Sequence, residues 1–250
     1  MIKDWMRRPE LEGVMERRLL VNFAVDPGWL EERLPSPFRP WLQRGRGVAG
    51  LCLIRFAALR PRGLPGCLGL RSENAAHRVA VEWDSAGGTH RGVYVPLRET
   101  DSRLTALAGG RLFPGRFRHR RFEVHETTDR WQIALRGPND ELSMAVTAER
   151  GRDRLPAGSI FRDKAEASEF FRRGCVGWSD AAPKQGSRGR FDGLELVCPE
   201  WEVEVVEARD CSAVLLDEPV DPACARLDHI LLMERRAHSW RALSPLEPGR

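Results

Sequence analysis

Residues 101–121 of this 250-residue chain, DSRLTALAGGRLFPGRFRHRR, gather basic side chains around a Gly-Gly pair but contain no lysine. Arginine stays protonated at any working pH and binds carboxylates and phosphates in a bidentate fashion, but it is not a nucleophile. Histidine can transfer a proton near neutral pH. The residue types of this segment therefore indicate anion binding or proton transfer, and they disfavour chemistry that begins with a lysine amine.

Strand alternation predicts which basic side chains point towards buried surface. Residues 48–59 are apolar on both faces of a predicted strand, so Arg55 lies amid buried surface whichever face is the inner one. In the predicted strand 117–126, Arg118 shares one face with the apolar residues Phe122 and Val124, whereas His119 falls on the other face. If the apolar face is the inner one, Arg118 points inward and His119 points outward.

A third predicted strand covers residues 77–83 and alternates clearly between two faces. His77 shares one face with the apolar residues of this strand, and Glu73 joins that face if the strand starts early. We therefore expect His77 to point inward, with Glu73 beside it.

A buried arginine is costly unless it pairs with an acid or meets an anionic ligand. Two hypotheses stay open for Arg55 and Arg118. In the first, the two arginines form internal salt bridges, for example with Glu73 or Glu99. In the second, they line a pocket that binds a carboxylate or a phosphate. For His77 alone, a hydrogen-bonded core histidine is favoured over a ligand-binding one.

The histidines and cysteines are not spaced for a metal site. The six histidines form no HExxH motif, the six cysteines form no CxxC pair, and His119 and His125 lie about 20 Å apart on an extended strand. No phosphate-binding loop, GxSxG elbow or GxGxxG fingerprint is present. The sequence predicts neither a metal nor a cofactor.

The charge pattern narrows the range of partners. The net charge is only +4, and lysine occurs only at Lys3, Lys164 and Lys184. Arginine alternates with acidic residues along most of the chain, whereas nucleic-acid binders cluster their charge in a stripe. Nucleic acid is therefore disfavoured as a partner, although RFRHRR at residues 116–121 keeps that hypothesis testable.

Compartment and membrane contact are predicted from what the chain lacks. No apolar run reaches the length of a membrane span, and the first residues lack the apolar core of a signal peptide. The cysteines are scattered, as is typical of reduced thiols. We expect a cytoplasmic protein without a membrane partner.

Turn and cap signals divide the chain into many short strands and few helices. Asp26 followed by Pro27 marks the start of a short helix, and residues 101–108 and 165–172 are predicted as two more. The turn at residues 85–88 joins two strands into a hairpin. This pattern is typical of an α+β fold that is mainly antiparallel β-sheet.

No linker or internal repeat divides the chain, so a single domain over residues 1–250 is predicted. Its core is expected over about residues 19–240. Residues 1–18 form a charged leading segment that could be a short helix, and residues 244–250 form a loose tail.

Seven blocks, in a fixed order, carry a family resemblance that spans residues 19–240. They are VNFAVDPGWLEERLP, VAGLCLIRFAALRPRGLPG, SENAAHRVAVEW, GVYVPLRETDSRLTALAGGRLF, SEFFRRGCVGWSD, LELVCPEWEVEVVEA and LDHILLMERRAHSW. The most specific pieces are IRF with RPRGLPG and DSRL with GGRLF. In this order the blocks resemble the uncharacterised YqjF-like domain family, which is related to the acetoacetate decarboxylase-like superfamily.

The resemblance implies a cone-like antiparallel β-barrel or double sheet with a central cavity, a few flanking helices and frequent oligomers. It also implies a lysine that forms a Schiff base, just after a segment like GRELGGYPKK. At that place this chain has Arg118 and His119, and none of its lysines is near in sequence. Schiff-base decarboxylation is therefore disfavoured. The carboxylate that the resemblance places beside the lysine corresponds to Glu73, next to Asn74.

These observations predict a cytoplasmic protein that binds a small anionic or polar molecule in the cavity, such as a carboxylate or a phosphate-bearing compound. It would act as a binding protein or as an enzyme without a Schiff base. The candidate proton-transfer groups are His119 and Glu73, and the predicted ligand-binding residues are Arg55, Arg118, Asn74, His77 and Tyr94. A structural or regulatory module without a ligand and an arginine-rich nucleic-acid binder are the alternatives, and a homo-oligomer is left open.

Overall fold

Long strands dominate the structure, a computed structural model that describes residues 9–108, 113–181 and 189–247. The helices are α1 (Pro27–Glu31), α2 (Arg103–Ala108) and α3 (Lys164–Arg173). The strands are β1 (Leu11–Val25), β2 (Arg39–Pro40), β3 (Gly47–Pro61), β4 (Leu70–Ser85), β5 (Gly88–Thr100), β6 (Arg116–His119), β7 (Arg121–Glu126), β8 (Arg130–Arg136), β9 (Leu142–Arg150), β10 (Val176–Asp180), β11 (Phe191–Val197), β12 (Glu204–Leu215), β13 (Glu218–Pro219) and β14 (Ala225–Leu246). None of the helices in the described ranges is long and apolar enough to cross a membrane.

Seven strands close into a ring. The hydrogen-bonded order is β1-β3-β4-β5-β10-β11-β14, and β14 pairs back onto β1, with Leu20 opposite Leu231. Neighbours in the ring run antiparallel except for β5 and β10, which are parallel. The result is a ring-like sheet rather than a regular barrel, and it confirms the predicted class of a mainly antiparallel sheet with few helices.

The long strand β14 also connects the ring to a further set of strands. Its first half pairs with β1 on one side and with β12 on the other, while its second half pairs with β11. From β12 the sheet continues through β9, β8 and β7. The strands that branch from β14 therefore belong to the same continuous sheet as the ring.

Two hydrophobic clusters use the two faces of the ring strands. On one face, Leu51 of β3 and Val79 of β4 belong to the same buried cluster as Ile133 of β8. On the other face, Ile54 of β3 clusters with Phe170 of α3. Burial on both sides explains why residues 48–59 carry apolar side chains at nearly every position.

Local signals placed several elements correctly. Asp26 Oδ1 accepts a hydrogen bond from the Trp29 amide at 3.1 Å and caps α1, as predicted. The hairpin between β4 and β5 turns between Ser85 and Gly88. The helix predicted over residues 165–172 is α3, and the one over residues 101–108 is α2. The Gly-Gly pair that follows α2 lies outside the described residues.

Both ends of the core extend further than predicted. The charged segment before residue 19 is strand rather than helix from Leu11 onward, because its alternate residues face the sheet and Met15 is fully buried. At the other end β14 continues to Leu246, into the segment expected to be a tail, where Leu246 pairs with Phe191 of β11. Long-range strand pairing, which local sequence does not reveal, orders both segments.

Candidate functional site

A partly open cavity of about 100 Å³ lies against the strands of the ring. Every strand of the ring contributes at least one residue to the cavity wall. The segment around β6 also contributes to the wall. Most of the wall is apolar, and it includes Ile54, Phe56, Val95, Phe117, Leu196 and Trp240. A concave, mostly apolar space with a few polar side chains is the usual form of a small-molecule site.

Three arginines from three strands of the ring also line this cavity. They are Arg18 of β1, Arg78 of β4 and Arg98 of β5. Arg78 is only 6% exposed, whereas Arg18 and Arg98 are half-buried at the cavity wall. Guanidinium groups in such a wall present charge and several N–H donors to whatever occupies the cavity.

The contacts of these arginines are to neutral groups. Arg98 Nη1 donates to Ser179 Oγ at 2.8 Å, and Arg18 Nε donates to Cys52 Sγ at 3.2 Å. The guanidinium of Arg78 lies over the Phe171 ring, 4.7 Å from its centroid. These contacts orient the side chains, but they supply no negative charge.

No carboxylate in the described part of the chain lies within ion-pair distance of these three arginines, which separates them from the many paired arginines of the molecule. Burial lowers the pKa of both Arg78 and Arg98 to about 10. Both groups therefore stay protonated at neutral pH. The cavity wall carries uncompensated positive charge, and an anion in the cavity would stabilise it.

Arg78 is held by a chain of buried hydrogen bonds that leads away from the cavity. Its Nη2 donates to Asn22 Oδ1, and Asn22 Nδ2 lies 2.9 Å from His229 Nε2. His229 Nδ1 lies 2.7 Å from Asp228 Oδ2, which also accepts from Ser159 Oγ at 2.7 Å. We call the sequence of contacts Arg78–Asn22–His229–Asp228 the relay. Because Asn22 and Asp228 fix the donor directions, His229 is neutral with its proton on Nδ1.

Electrostatics agree with a neutral His229. Burial lowers its pKa, and the charge of Arg78 lowers it further, although contact with Asp228 acts in the opposite direction. The pKa of Asp228 is also lowered: burial would raise it, but hydrogen bonds from His229, Ser159 and the Ile160 amide outweigh that effect. The relay therefore ends in a carboxylate that stays ionised.

The sequence-predicted Arg55 lies on the other face of β3, away from the cavity wall. It belongs to a closed network of two arginines and two glutamates, in which Arg55 Nε pairs with Glu73 Oε1 at 2.5 Å and Arg55 Nη1 with Glu126 Oε2 at 2.6 Å. Arg17, which is 2% exposed, pairs with the same two glutamates. The network ties the end of β7 to β1, β3 and β4, and it is one of the salt bridges that the sequence left open.

Arg118 and His77 also meet acids. Both terminal nitrogens of Arg118 contact Asp217, at 2.6 and 2.9 Å. His77 Nε2 lies 3.1 Å from Glu99 Oε2, and Glu99 Oε1 accepts from Arg120 Nε at 2.7 Å. Glu99 lines the cavity, and burial would raise its pKa. Contacts with His77 and Arg120 outweigh burial and lower the pKa, so the Glu99 carboxylate is already paired.

The remaining predicted residues separate. Asn74 lines the cavity, where its Nδ2 donates to Ser72 Oγ at 2.9 Å. Tyr94 points to the opposite face and its hydroxyl donates to Asp180 Oδ2 at 3.0 Å. His119 is exposed, with Nε2 3.1 Å from the Asp101 carbonyl oxygen. Of the predicted ligand-binding set, Asn74 alone lies at the cavity, and the roles of the others stay predictions.

Sequence reasoning missed the three cavity arginines because it chose the wrong face of the sheet. The alternation in residues 77–83 had placed Arg78 opposite His77, and the face of His77 was taken as the inner one. In the ring, both faces are buried, and the face of Arg78 lines the cavity. An arginine flanked by Ala76 and Ala80 on one strand face is the signal that could have identified it.

Comparison with known proteins places this geometry in context. The family model of DUF2071, described as an uncharacterised conserved protein, matches residues 14–218. No curated protein matches the sequence. The structure is similar to that of acetoacetate decarboxylase from Legionella pneumophila subsp. pneumophila str. Philadelphia 1, with a TM-score of 0.60, 10% identity and coverage of 95% of this chain and 88% of that one.

Two further solved structures share the fold. An acetoacetate decarboxylase-like enzyme from Sphingomonas wittichii RW1 has a TM-score of 0.60 at 11% identity and covers 97% of this chain and 94% of that one. The enduracididine biosynthesis enzyme MppR, complexed with pyruvate, has a TM-score of 0.53 at 12% identity, with 94% and 90% covered. At such low identities the likeness shows a common fold.

Proposed function

Because this chain belongs to the DUF2071 family and has an acetoacetate decarboxylase-like fold, we propose that its ring cavity binds a small organic carboxylate. The single observation that carries the proposal is the set of three cavity arginines, Arg18, Arg78 and Arg98, whose contacts within the described part of the chain are to neutral groups. A carboxylate would supply the missing charge and accept hydrogen bonds from the guanidinium groups.

The size and the wall of the cavity define the rest of the ligand. A cavity of about 100 Å³ is somewhat smaller than the roughly 150 Å³ engineered cavity that admits benzene, so ligands of about six non-hydrogen atoms or fewer are expected. Apolar walls that include Ile54, Val95 and Leu196 favour a carbon chain over a second charged group. The solved complex of MppR with pyruvate supports this size class.

A Schiff-base reaction has no support in the described cavity. None of the described lining residues is a lysine, and Lys164 pairs with Asp153 at the start of α3. Lys3 and Lys184 lie outside the described residues. We therefore propose carboxylate binding as the function, with any turnover proceeding without a lysine adduct. The proposed proton-transfer roles of His119 and Glu73 stay separate from this cavity, since neither residue lines it.

The alternative of a module without a ligand draws support from different arginines. Arg55 and Arg118 are held in ion pairs, as such a module requires. The nucleic-acid alternative needs a free basic strip at residues 116–121, but Arg118, Arg120 and Arg121 all contact acids. Neither alternative accounts for the unneutralised charge inside the ring.

Thermal unfolding with matched ligands tests the proposal. Propionate and propionamide have nearly the same size and shape, but only propionate is charged. We expect propionate to raise the midpoint of unfolding more than propionamide does, and we expect Arg98→Ala to remove the difference. Arg209→Ala, at an exposed arginine paired with Glu149, is the matched control and should keep it.

Three outcomes would overturn the proposal. Equal shifts with propionate and propionamide in the parent protein would remove the role of charge. Stabilisation by inorganic phosphate without stabilisation by propionate would show that the anion is not a carboxylate. A loss of the propionate effect in Arg118→Ala, but not in Arg98→Ala, would place the site at the sequence-predicted residues instead.

A further inference from the structure

Cys52 lies among the three cavity arginines and plays no part in the proposed binding of a carboxylate. It projects from β3 into the cavity wall, is 4% exposed, and its Sγ accepts a hydrogen bond from Arg18 Nε at 3.2 Å. Arg78 and Arg98 line the same cavity wall. The sulfur therefore shares the cavity with all three guanidinium groups.

Two buried N–H donors on the same cavity wall as this sulfur have no hydrogen-bond acceptor among the described residues. Arg78 is more than nine-tenths buried, lines the cavity, and its Nε has no hydrogen-bond partner among the described residues. Trp240, on the same wall, likewise has a buried indole N–H without a partner in the described structure. Buried donors without acceptors are uncommon, and a bound carboxylate beside Cys52 would satisfy them.

We infer that Cys52 is a nucleophilic thiol that the cavity arginines direct towards small carboxylates carrying an electrophilic carbon next to the carboxylate. This inference rests on the proposed function, because the same arginines hold the carboxylate. Reactive cysteines are found next to arginine, lysine or protonated histidine, and Cys52 has such a neighbour in Arg18. An electrophile bound through its carboxylate would present its reactive carbon close to Sγ.

The second cysteine of the cavity differs in its surroundings. Cys175 also lines the wall, but burial raises its pKa to about 11, and its Sγ lies 3.8 Å from the Phe171 carbonyl oxygen, to which the thiol donates. It therefore remains a protonated thiol at neutral pH. Cys175 serves as an internal control for access to the cavity, since both sulfurs face the same space.

The covalent step with an α-haloacid is a simple substitution. The Cys52 proton passes to solvent, Sγ attacks the carbon that carries the halogen, and the new sulfur–carbon bond forms as the carbon–halogen bond breaks. The halide leaves with the bonding electron pair. No oxidant or second reactant is required.

Iodoacetate and iodoacetamide provide the test, because they share the leaving group and differ in charge. The rate of alkylation of each cysteine is followed by peptide mass spectrometry in the intact protein. We expect the iodoacetate-to-iodoacetamide rate ratio to be about tenfold higher at Cys52 than at the exposed Cys67, as one charge-assisted hydrogen bond implies. Cys175 should react slowly with both reagents.

Two perturbations identify the cause of the preference. Arg98→Ala should lower the ratio at Cys52 towards that of Cys67, whereas Arg209→Ala should leave it unchanged. Inert propionate should protect Cys52 but not Cys67, and propionamide should protect neither. Protection requires no variant, so it decides the question even if Arg98→Ala fails to fold.

The outcomes separate this inference from the proposed function. If propionate stabilises the protein through Arg98 but Cys52 shows no preference for iodoacetate, carboxylate binding stands and the reactive thiol is wrong. If propionate neither stabilises the protein nor protects Cys52, both are wrong. Faster iodoacetate labelling of Cys175 than of Cys52 would show that Cys175, and not Cys52, is the reactive thiol, and the inference would be wrong.

Discussion

Arg78 and Asn22 are joined by a buried hydrogen bond from the guanidinium to the amide oxygen, and this contact fixes the direction of the whole relay. With its oxygen facing Arg78, the Asn22 amide must turn its NH₂ group to His229. His229 then accepts on Nε2 and donates from Nδ1 to Asp228. The orientation of one amide therefore links the guanidinium group at the cavity wall to the protonation state of a histidine behind it.

The substitution Asn22→Asp tests this relationship. A carboxylate at this position would neutralise Arg78 and accept a hydrogen bond from a protonated Nε2 of His229. We expect propionate binding to weaken by about tenfold, the value of one charge-assisted hydrogen bond, and the pKa of His229 to rise. Calorimetry gives the affinity, and an NMR titration of the histidine ring protons gives the pKa.

The matched control for that experiment is Asn139→Asp, which makes the same chemical change at an exposed position. It should alter neither the affinity nor the titration of His229. An unchanged His229 pKa in Asn22→Asp would show that Asn22 does not control this histidine, and the direction assigned to the relay would be wrong.

Local sequence was sufficient for elements whose signals lie within a few residues. The cap at Asp26 and the turn between Ser85 and Gly88 depend on backbone conformations that neighbouring residues dictate. The amphipathic helix α3 likewise buries one face, with Phe170 and Phe171. Such features do not depend on which distant strand lies alongside.

The cavity could not be located in the same way. Alternation showed that the strands containing Arg55 and Arg78 are buried, but not which face encloses the cavity, because that depends on the closure of β14 onto β1. A shift of register between His77 and Val79 also changes which residues of β5 face inward, so that Arg98 reaches the cavity together with Val95. Both effects come from long-range pairing.

Buried and half-exposed ion pairs should differ sharply in their value to stability. Arg17→Met removes a fully buried arginine and leaves Glu73 and Glu126 with one partner each, so the free energy of unfolding should fall by about 3 kcal/mol or more. Arg118→Met removes an arginine whose side chain is 34% exposed, and it should cost at most about 1 kcal/mol. Urea denaturation measures both values.

Equal costs for the two variants would contradict this interpretation of the network. A second comparison keeps the result independent of the methionine side chain. Replacing Glu126 by Gln keeps the shape but removes the charge that faces Arg17 and Arg55, and it should also destabilise the protein. Glu202→Gln, an exposed acid paired with Arg236, is the matched control and should have little effect.

His238 should make stability depend on pH below neutrality. Burial lowers its pKa from 6.5 to about 4, and the charge of Arg18 contributes in the same direction. The native state therefore binds this proton more weakly than the unfolded chain does. Its contribution to stability is complete above pH 6.5 and is lost as the pH falls from 6.5 to 4, by about 3 kcal/mol in total.

The variant His238→Phe isolates this contribution, because phenylalanine does not titrate and can keep the stacking of the ring on Phe56. The free energy of unfolding of the parent should fall more steeply than that of the variant between pH 6.5 and 4, and the two curves should run parallel above pH 7. His125→Phe, at an exposed histidine, should follow the parent curve. Parallel curves for parent and His238→Phe over the whole range would show that His238 titrates alike in the folded and unfolded states.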